Sequence, residues 1–214
     1  MRTWLTRAAL IAAGCGVMAA CGVMAACGSD PAPDKNDVSV SSGDWEITVY
    51  YTAVERFHDG DPTPVTGCPV LDCSQGDDDL GTYPAGFVQA VQDEGTGLTA
   101  DGRYLNWSYD TGYWLDTAAR ASDGSALTPF VSAAADPGVL KQGTAFTITG
   151  CGTGDPDEVV CERLRQASWR IADEFTPGLG GPKHIDAYIG PETGAGFTES
   201  AWYVTLTGAA ITTG

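Results

Sequence analysis

Apolar residues fall along this chain in short runs, separated by turn residues and never sustained over a long periodic stretch. "WEITVYYTAV", residues 45 to 54, alternates in part and is rich in β-branched and aromatic residues, which predicts a central first strand. "RFHDGDPTPVTGCPVLDCSQGDDDLG" carries turn formers throughout and predicts an irregular excursion. In "TYPAGFVQAVQDEGTG", Phe87, Val88 and Val91 share one helical face between Pro84 near the start and Gly95 as a stop, so a short helix is expected. "RYLNWSYDTGYWLDTAA" reads as a hairpin around "DTG". Residues 127 to 150 predict a strand into Asp136, a Pro-Gly turn and a strand from about Thr144. A second short helix is expected in "GDPDEVVCERLRQA", with Asp155 as N-cap, Pro156 first in the helix and Glu158 in the capping-box position. "SWRIADEF", "HIDAYIG" and "AWYVTLTG" supply the last strands. Many short strands with two short helices make a mostly β protein, and a closed barrel is the expected architecture.

Composition agrees: 28 glycines and 12 prolines suit many turns, and 43% hydrophobic residues in 214 suffice for a core. The amino terminus stands apart. "MRTWLTRAALIAAGCGVMAACGVMAACGSDPAPD" has Arg2 and Arg7, then a run of small apolar residues, then a polar tail, the pattern of an export signal. Its "MAAC" resembles the lipobox at which bacterial lipoproteins are cleaved and lipidated, and it occurs at Cys21 and at Cys27 within a tandem "CGVMAA" repeat. Cys27 is favoured, because polar sequence follows it directly, with Cys21 as the alternative. Residues 1–27 are thus expected to be a lipoprotein signal, 28–44 a flexible Ser/Asp/Pro-rich tether, and 45–214 the folded domain.

Four further cysteines, Cys68, Cys73, Cys151 and Cys161, lie in the exported part. An even number outside the cytoplasm points to disulfides, and local pairing, Cys68 with Cys73 and Cys151 with Cys161, closes two short loops. Their spacings suit zinc poorly, and neither a metal nor a cofactor is expected. Lys and Arg total 11, two of them in the leader, against 28 Asp and Glu. So acidic a surface repels nucleic acid and anionic headgroups, leaving a lipid anchor as the expected link to the membrane.

Three segments then carry a resemblance. "AADPGVLKQGT", "IADEFTPGLGG" and "KHIDAYIG", continued by "PETGAGFTESAWYVTL", resemble in order the three-aspartate domain and the related carboxyl region of membrane-bound lytic transglycosylase A. The resemblance covers about residues 45 to 208 and implies a six-stranded double-psi β-barrel with disulfide-pinned loops. It places the family's aspartates at Asp136, Asp173 and Asp186, with Asp186 as catalytic acid and the other two shaping its site. It also implies glycan contacts from Lys183, His184 and the loop glycines Gly178, Gly180 and Gly181. Tyr51, Trp107 and Trp114 are candidate platforms for sugar rings. The loop between Asp173 and Asp186 is longer than the family's, and Lys141 stands where the family tends to have proline.

Cleaving a glycosidic bond needs a protonated acid at the bridging oxygen. In a lytic transglycosylase the muramic 6-hydroxyl then attacks and a 1,6-anhydro product forms, so one carboxyl suffices; a hydrolase wants a second, for which Glu55 is the sequence's candidate. The expectation is a monomeric envelope lipoprotein acting on peptidoglycan glycan strands. A non-catalytic wall-binding barrel of expansin type, or a structural lipoprotein whose aspartates hold loops, would leave the same letters.

Overall fold

The computed structural model describes residues 40 to 214 other than Asp155. The leader, both candidate lipidation cysteines and most of the expected tether lie outside the described residues. Eleven strands form one hydrogen-bonded system. The first, β1 (Val40–Val54), starts ahead of Trp45: Val40 to Ser42 pair with the end of β11 (Leu206–Thr213), because a ladder needs backbone partners and not apolar side chains. β1 also pairs with β10 (His184–Pro191). Onward pairing through β7 (Ser132–Ala134), β9 (Trp169–Asp173) and β8 (Ala145–Gly150) returns to β11 and closes a six-stranded barrel. The β1–β10 and β7–β9 pairs are parallel. Trp45, Ile47, Val49, Ile148, Trp169, Ile171, Ile185 and Leu206 belong to one buried cluster, so alternation along each strand leaves the other face free.

β1 is long enough to serve two sheets. Its last residues, Ala53 and Val54, pair with β4 (Thr96–Leu98). β5 (Tyr104–Ser108), β6 (Gly112–Asp116), β2 (Pro62–Cys68) and β3 (Asp78–Pro84) continue outward. The stretch expected to be irregular is therefore an antiparallel pair, β2 with β3. Its prolines, Pro62 and Pro64, are accommodated because β6 meets β2 only at Gly67 and Cys68, leaving the far edge of the strand without a ladder to break.

Helix α1 (Ala85–Glu94) packs Phe87 and Val91 onto this sheet and ends at Gly95, whose φ of 81° makes the left-handed cap. Helix α2 (Glu158–Gln166) begins later than expected. Asp157 is its cap, accepting from the Val159 and Val160 amides, and Glu158 is the first helical residue, because the carboxylate one position before the turn reaches both free N–H groups. β11 also starts late, at Leu206, so Trp202 to Thr205 form a connecting segment. Both disulfides pair locally as expected, Cys68–Cys73 beyond β2 and Cys151–Cys161 tying the end of β8 to α2. No helix among the described residues is long and apolar enough to cross a membrane.

Candidate active site

The outer face of the barrel wall carries a row of four residues in register. Thr48 of β1 pairs with Asp186 of β10, Asp186 with Ala134 of β7, and Ala134 with Asp173 of β9. All four line one cavity of about 580 Å³. Ile171 pairs with Ala133, yet Ala134 pairs with Asp173, so one extra residue, Ala172, interrupts the ladder. This bulge turns Asp173 out of the barrel, whereas strict alternation would have sent it inward with Ile171.

The two carboxyls differ in what holds them. One oxygen of Asp173 accepts from the Ser122 amide at 2.9 Å, the Ser122 hydroxyl at 2.9 Å and the Glu174 amide at 2.8 Å. Burial raises its proton affinity, and these donors pull it back. Asp186 has a buried Oδ1 with no hydrogen-bond partner. Burial pushes its pKa up to about 7, with the Asp173 charge adding to the rise while Thr48 and the Ala187 amide oppose it. The Tyr50 hydroxyl lies by both carboxyls, is also buried outside hydrogen-bond geometry, and titrates well above its usual value, first through burial and then through the two negative charges.

His184, two residues before Asp186, places Nε2 3.0 Å from the Thr48 hydroxyl and lays its ring against Phe175, 4.5 Å between centroids. It thereby fixes the hydroxyl that neighbours Asp186. The lining also takes in Trp107 of β5 in the second sheet, Arg120 of the loop after β6, and Glu94 at the end of α1. Arg120 is engaged with Asp116 at 2.9 Å. The rim is exposed and mixed, with Tyr109 60%, Leu179 66% and Tyr203 45% accessible among the exposed acids Asp93, Asp110, Asp123 and Glu174.

Of the residues singled out from sequence, Asp186, Asp173, His184 and Trp107 meet at this cavity. Asp136, Gly180, Gly181, Lys183, Tyr51 and Trp114 are not in its lining. Asp136 accepts from the Val139 and Leu140 amides through its carbonyl, and its carboxylate lies so close to Gly180 that a Cβ there would collide with it. Lys183 reaches back to the Gly43 carbonyl at 2.8 Å. Tyr51 is buried against Phe197, and Trp114 is 0% exposed, so no sugar ring reaches either face of it. Glu55 is also elsewhere, accepting from the Ala100 amide at 2.6 Å. Several other acids do share the cavity with Asp186, namely Asp93, Asp110, Asp123, Asp173 and Glu174, and with them Glu94 at the end of α1, which sequence reasoning missed. The available signal was "QDEG": two acids in the last turn of a helix, where the helix dipole disfavours negative charge.

No family model matches the chain, and no curated protein does. Among solved structures, the Escherichia coli lytic transglycosylase MltA with bound chitohexaose aligns over 79% of this chain and 71% of its own, at 13% identity and a TM-score of 0.51. The membrane-bound lytic murein transglycosylase of Agrobacterium tumefaciens aligns over 82% and 76%, at 11% identity and the same TM-score, 0.51. The likeness at such identity is one of fold: the barrel is the six-stranded double-psi β-barrel of these lytic transglycosylases.

Proposed function

We propose that the protein is an envelope lipoprotein that cleaves peptidoglycan glycan strands as a lytic transglycosylase, with Asp186 as the acid and then the base. The observation that carries this reading is the buried, unpartnered Asp186 Oδ1 on the wall of a cavity, in a carboxyl whose pKa of about 7 keeps a large protonated fraction near neutrality. An aspartate kept only to hold a loop would have its buried oxygen satisfied, as Asp173 has its Oδ1. The fold shared with two lytic transglycosylases, one of them holding chitohexaose, supports the same substrate class.

In this reading the glycan lies along the groove with its scissile linkage over Ala134, whose methyl leaves the space between the two aspartates open. Protonated Asp186 gives its proton to the bridging oxygen, and the bond from C1 to that oxygen breaks with oxocarbenium character at C1. The 6-hydroxyl of the same muramic residue then bonds to C1 while Asp186, now a carboxylate, takes its proton, so the carboxyl returns to its starting state and no water enters. Asp173 stays out of the proton transfer. Its bound oxygen ties the Ser122 loop to the barrel, and its charge raises the proton affinity of Asp186. Trp107 and the rim residues Tyr109 and Tyr203 offer amphipathic faces to sugar rings.

Lipidation at Cys27, or at Cys21, places the domain on the outer face of the cytoplasmic membrane. The decisive experiment incubates purified sacculi with the native protein and with Asp186→Asn. Anhydromuropeptides are expected from the first and none from the second; equal yields would remove Asp186 from the chemistry, and muropeptides with reducing ends would make the enzyme a hydrolase.

A further inference from the structure

Glu94 occupies a place that local physics disfavours. It is the last residue of α1, without a basic residue in that turn, and its neighbour Asp93 adds a second negative group. One oxygen, Oε2, accepts from the Tyr51 amide at 3.2 Å. That amide is available because β1 pairs with β11 only as far as Ile47 and with β4 only from Ala53, leaving Tyr51 between the two ladders at the point where β1 passes from the barrel to the second sheet. Here the gap between the two ladders seats a carboxyl from the end of α1 in the same cavity as Asp186 of β10.

The charged groups acting most strongly on Glu94 are negative. Asp93 comes from its own helix, Asp186 from β10 and Glu192 from the segment that follows β10. Tyr51 of β1 and Tyr203 of the segment before β11 also face it; both phenols are pushed upward by burial, with Glu94 adding to the rise. Arg120, the cavity's guanidinium, is held by Asp116. A buried carboxylate without a counter-ion is costly, and such a group keeps its proton instead. Burial first and the Asp186 charge second push Glu94 up to about 9, against the Tyr51 amide. With Oε2 taken by that amide, the other oxygen is left for a partner within the cavity.

We propose that Glu94 is a second, proton-bearing carboxylic acid of this groove, donating a hydrogen bond from its O–H to the bound glycan. The inference rests on the glycan reading of the site and adds a division of labour to it. Asp186 exchanges its proton near neutrality, whereas Glu94 keeps its own and acts as a fixed donor, two carboxyls driven apart in proton affinity by different surroundings.

Chitohexaose serves as probe, with affinity measured by calorimetry from pH 6 to pH 10.5 on full-length protein carrying Asp186→Asn, so that no bond is cut. Adding Glu94→Gln, a neutral donor of the same shape, is expected to leave affinity at pH 7 within about threefold, and Glu94→Ala to weaken it about tenfold, the worth of a buried hydrogen bond. The protein with Glu94 intact should lose affinity at the alkaline end of the range, and the Glu94→Gln form should not. A structural role for Glu94 moves the melting temperature and leaves no such pH difference. Equal affinity in the Glu94→Ala form, or the same alkaline loss in the Glu94→Gln form, overturns the inference while leaving the glycan reading intact. Chitohexaose that binds no form at any pH overturns both.

Discussion

Asp186 and Asp173 sit two strands apart on the same face of the barrel wall, separated by Ala134, which pairs with both. Asp173 is saturated by three donors on one oxygen, and Asp186 keeps a buried oxygen with none. The pair is therefore asymmetric by construction. One carboxyl assembles the wall, and the other is left with an unmet valence in a space that a ligand can enter.

That asymmetry makes Asp186→Asn a variant that loses function while keeping its fold. A general acid contributes on the order of 10² to 10⁴ in rate, so release of anhydromuropeptides should fall by about that factor. Stability should respond in the opposite sense. The folded pKa of Asp186, about 7, lies above the unfolded value of about 3.9. Stability is then undiminished below pH 4 and is lost as pH rises through 7, where the unfolded chain sheds the proton more readily. Denaturant titrations between pH 4 and pH 8 should show the native protein losing stability relative to Asp186→Asn as pH rises. A constant difference across that range would mean that Asp186 is not buried as the geometry has it.

For Asp173 the prediction is reversed. Asp173→Ala removes the acceptor of three hydrogen bonds and leaves the Ser122 and Glu174 amides to find new partners, a loss of about 2 to 3 kcal/mol. Thermal unfolding followed by circular dichroism should drop by several degrees. Should the melting temperature stay within a degree of the native value, the Ser122 loop is not held by this carboxylate.

Trp107 and Trp114 separate binding from packing. They lie on adjacent strands, Trp107 opposite Tyr113 and Trp114 opposite Asn106, and only Trp107 reaches the cavity. Trp107→Ala should weaken glycan binding roughly tenfold with a small change in stability. Trp114→Ala, in a side chain 0% exposed, should cost about 3 to 5 kcal/mol in denaturant unfolding. Equal effects on stability would contradict the placement of the two rings.

The sequence carried the parts of this site that depend on local pattern. "HIDAYIG" and "IADEF" alternate as strands and hold the two aspartates, Pro84 and Gly95 frame α1, and the two short cysteine loops admit local disulfides. What it did not carry was set by long-range pairing. Whether Trp107 or Trp114 faces the groove depends on which side of the sheet the rest of the chain covers. The extra residue that turns Asp173 outward exists only against the partner strand β7. Glu94 is held at the cavity by the Tyr51 amide, 43 residues earlier in the chain and left free between two ladders of β1, a strand that no local pattern connects to α1. The prolines of β2 argued against a strand, and the pairing overrode them because the strand's far edge is mostly unpartnered.

Ala134 gives the most direct test of where a ligand lies. Its methyl stands between the two carboxyls, its backbone pairs with both of their strands, and its side chain lines the cavity instead of joining the barrel core. Ala134→Leu extends three more carbons into the space over the row. Ala134 is 5% exposed, so the larger side chain is expected to carry the usual overpacking cost of about 1 to 3 kcal/mol. Glycan binding should fall at least tenfold, since the leucine takes the volume that a sugar ring needs to bring its linkage to Asp186. Ala134→Gly, which keeps the space open, should bind as the native protein does. If chitohexaose binds the Ala134→Leu form with native affinity in calorimetry, the ligand does not cross this row, and the assignment of Asp186 as the acid loses its geometric basis.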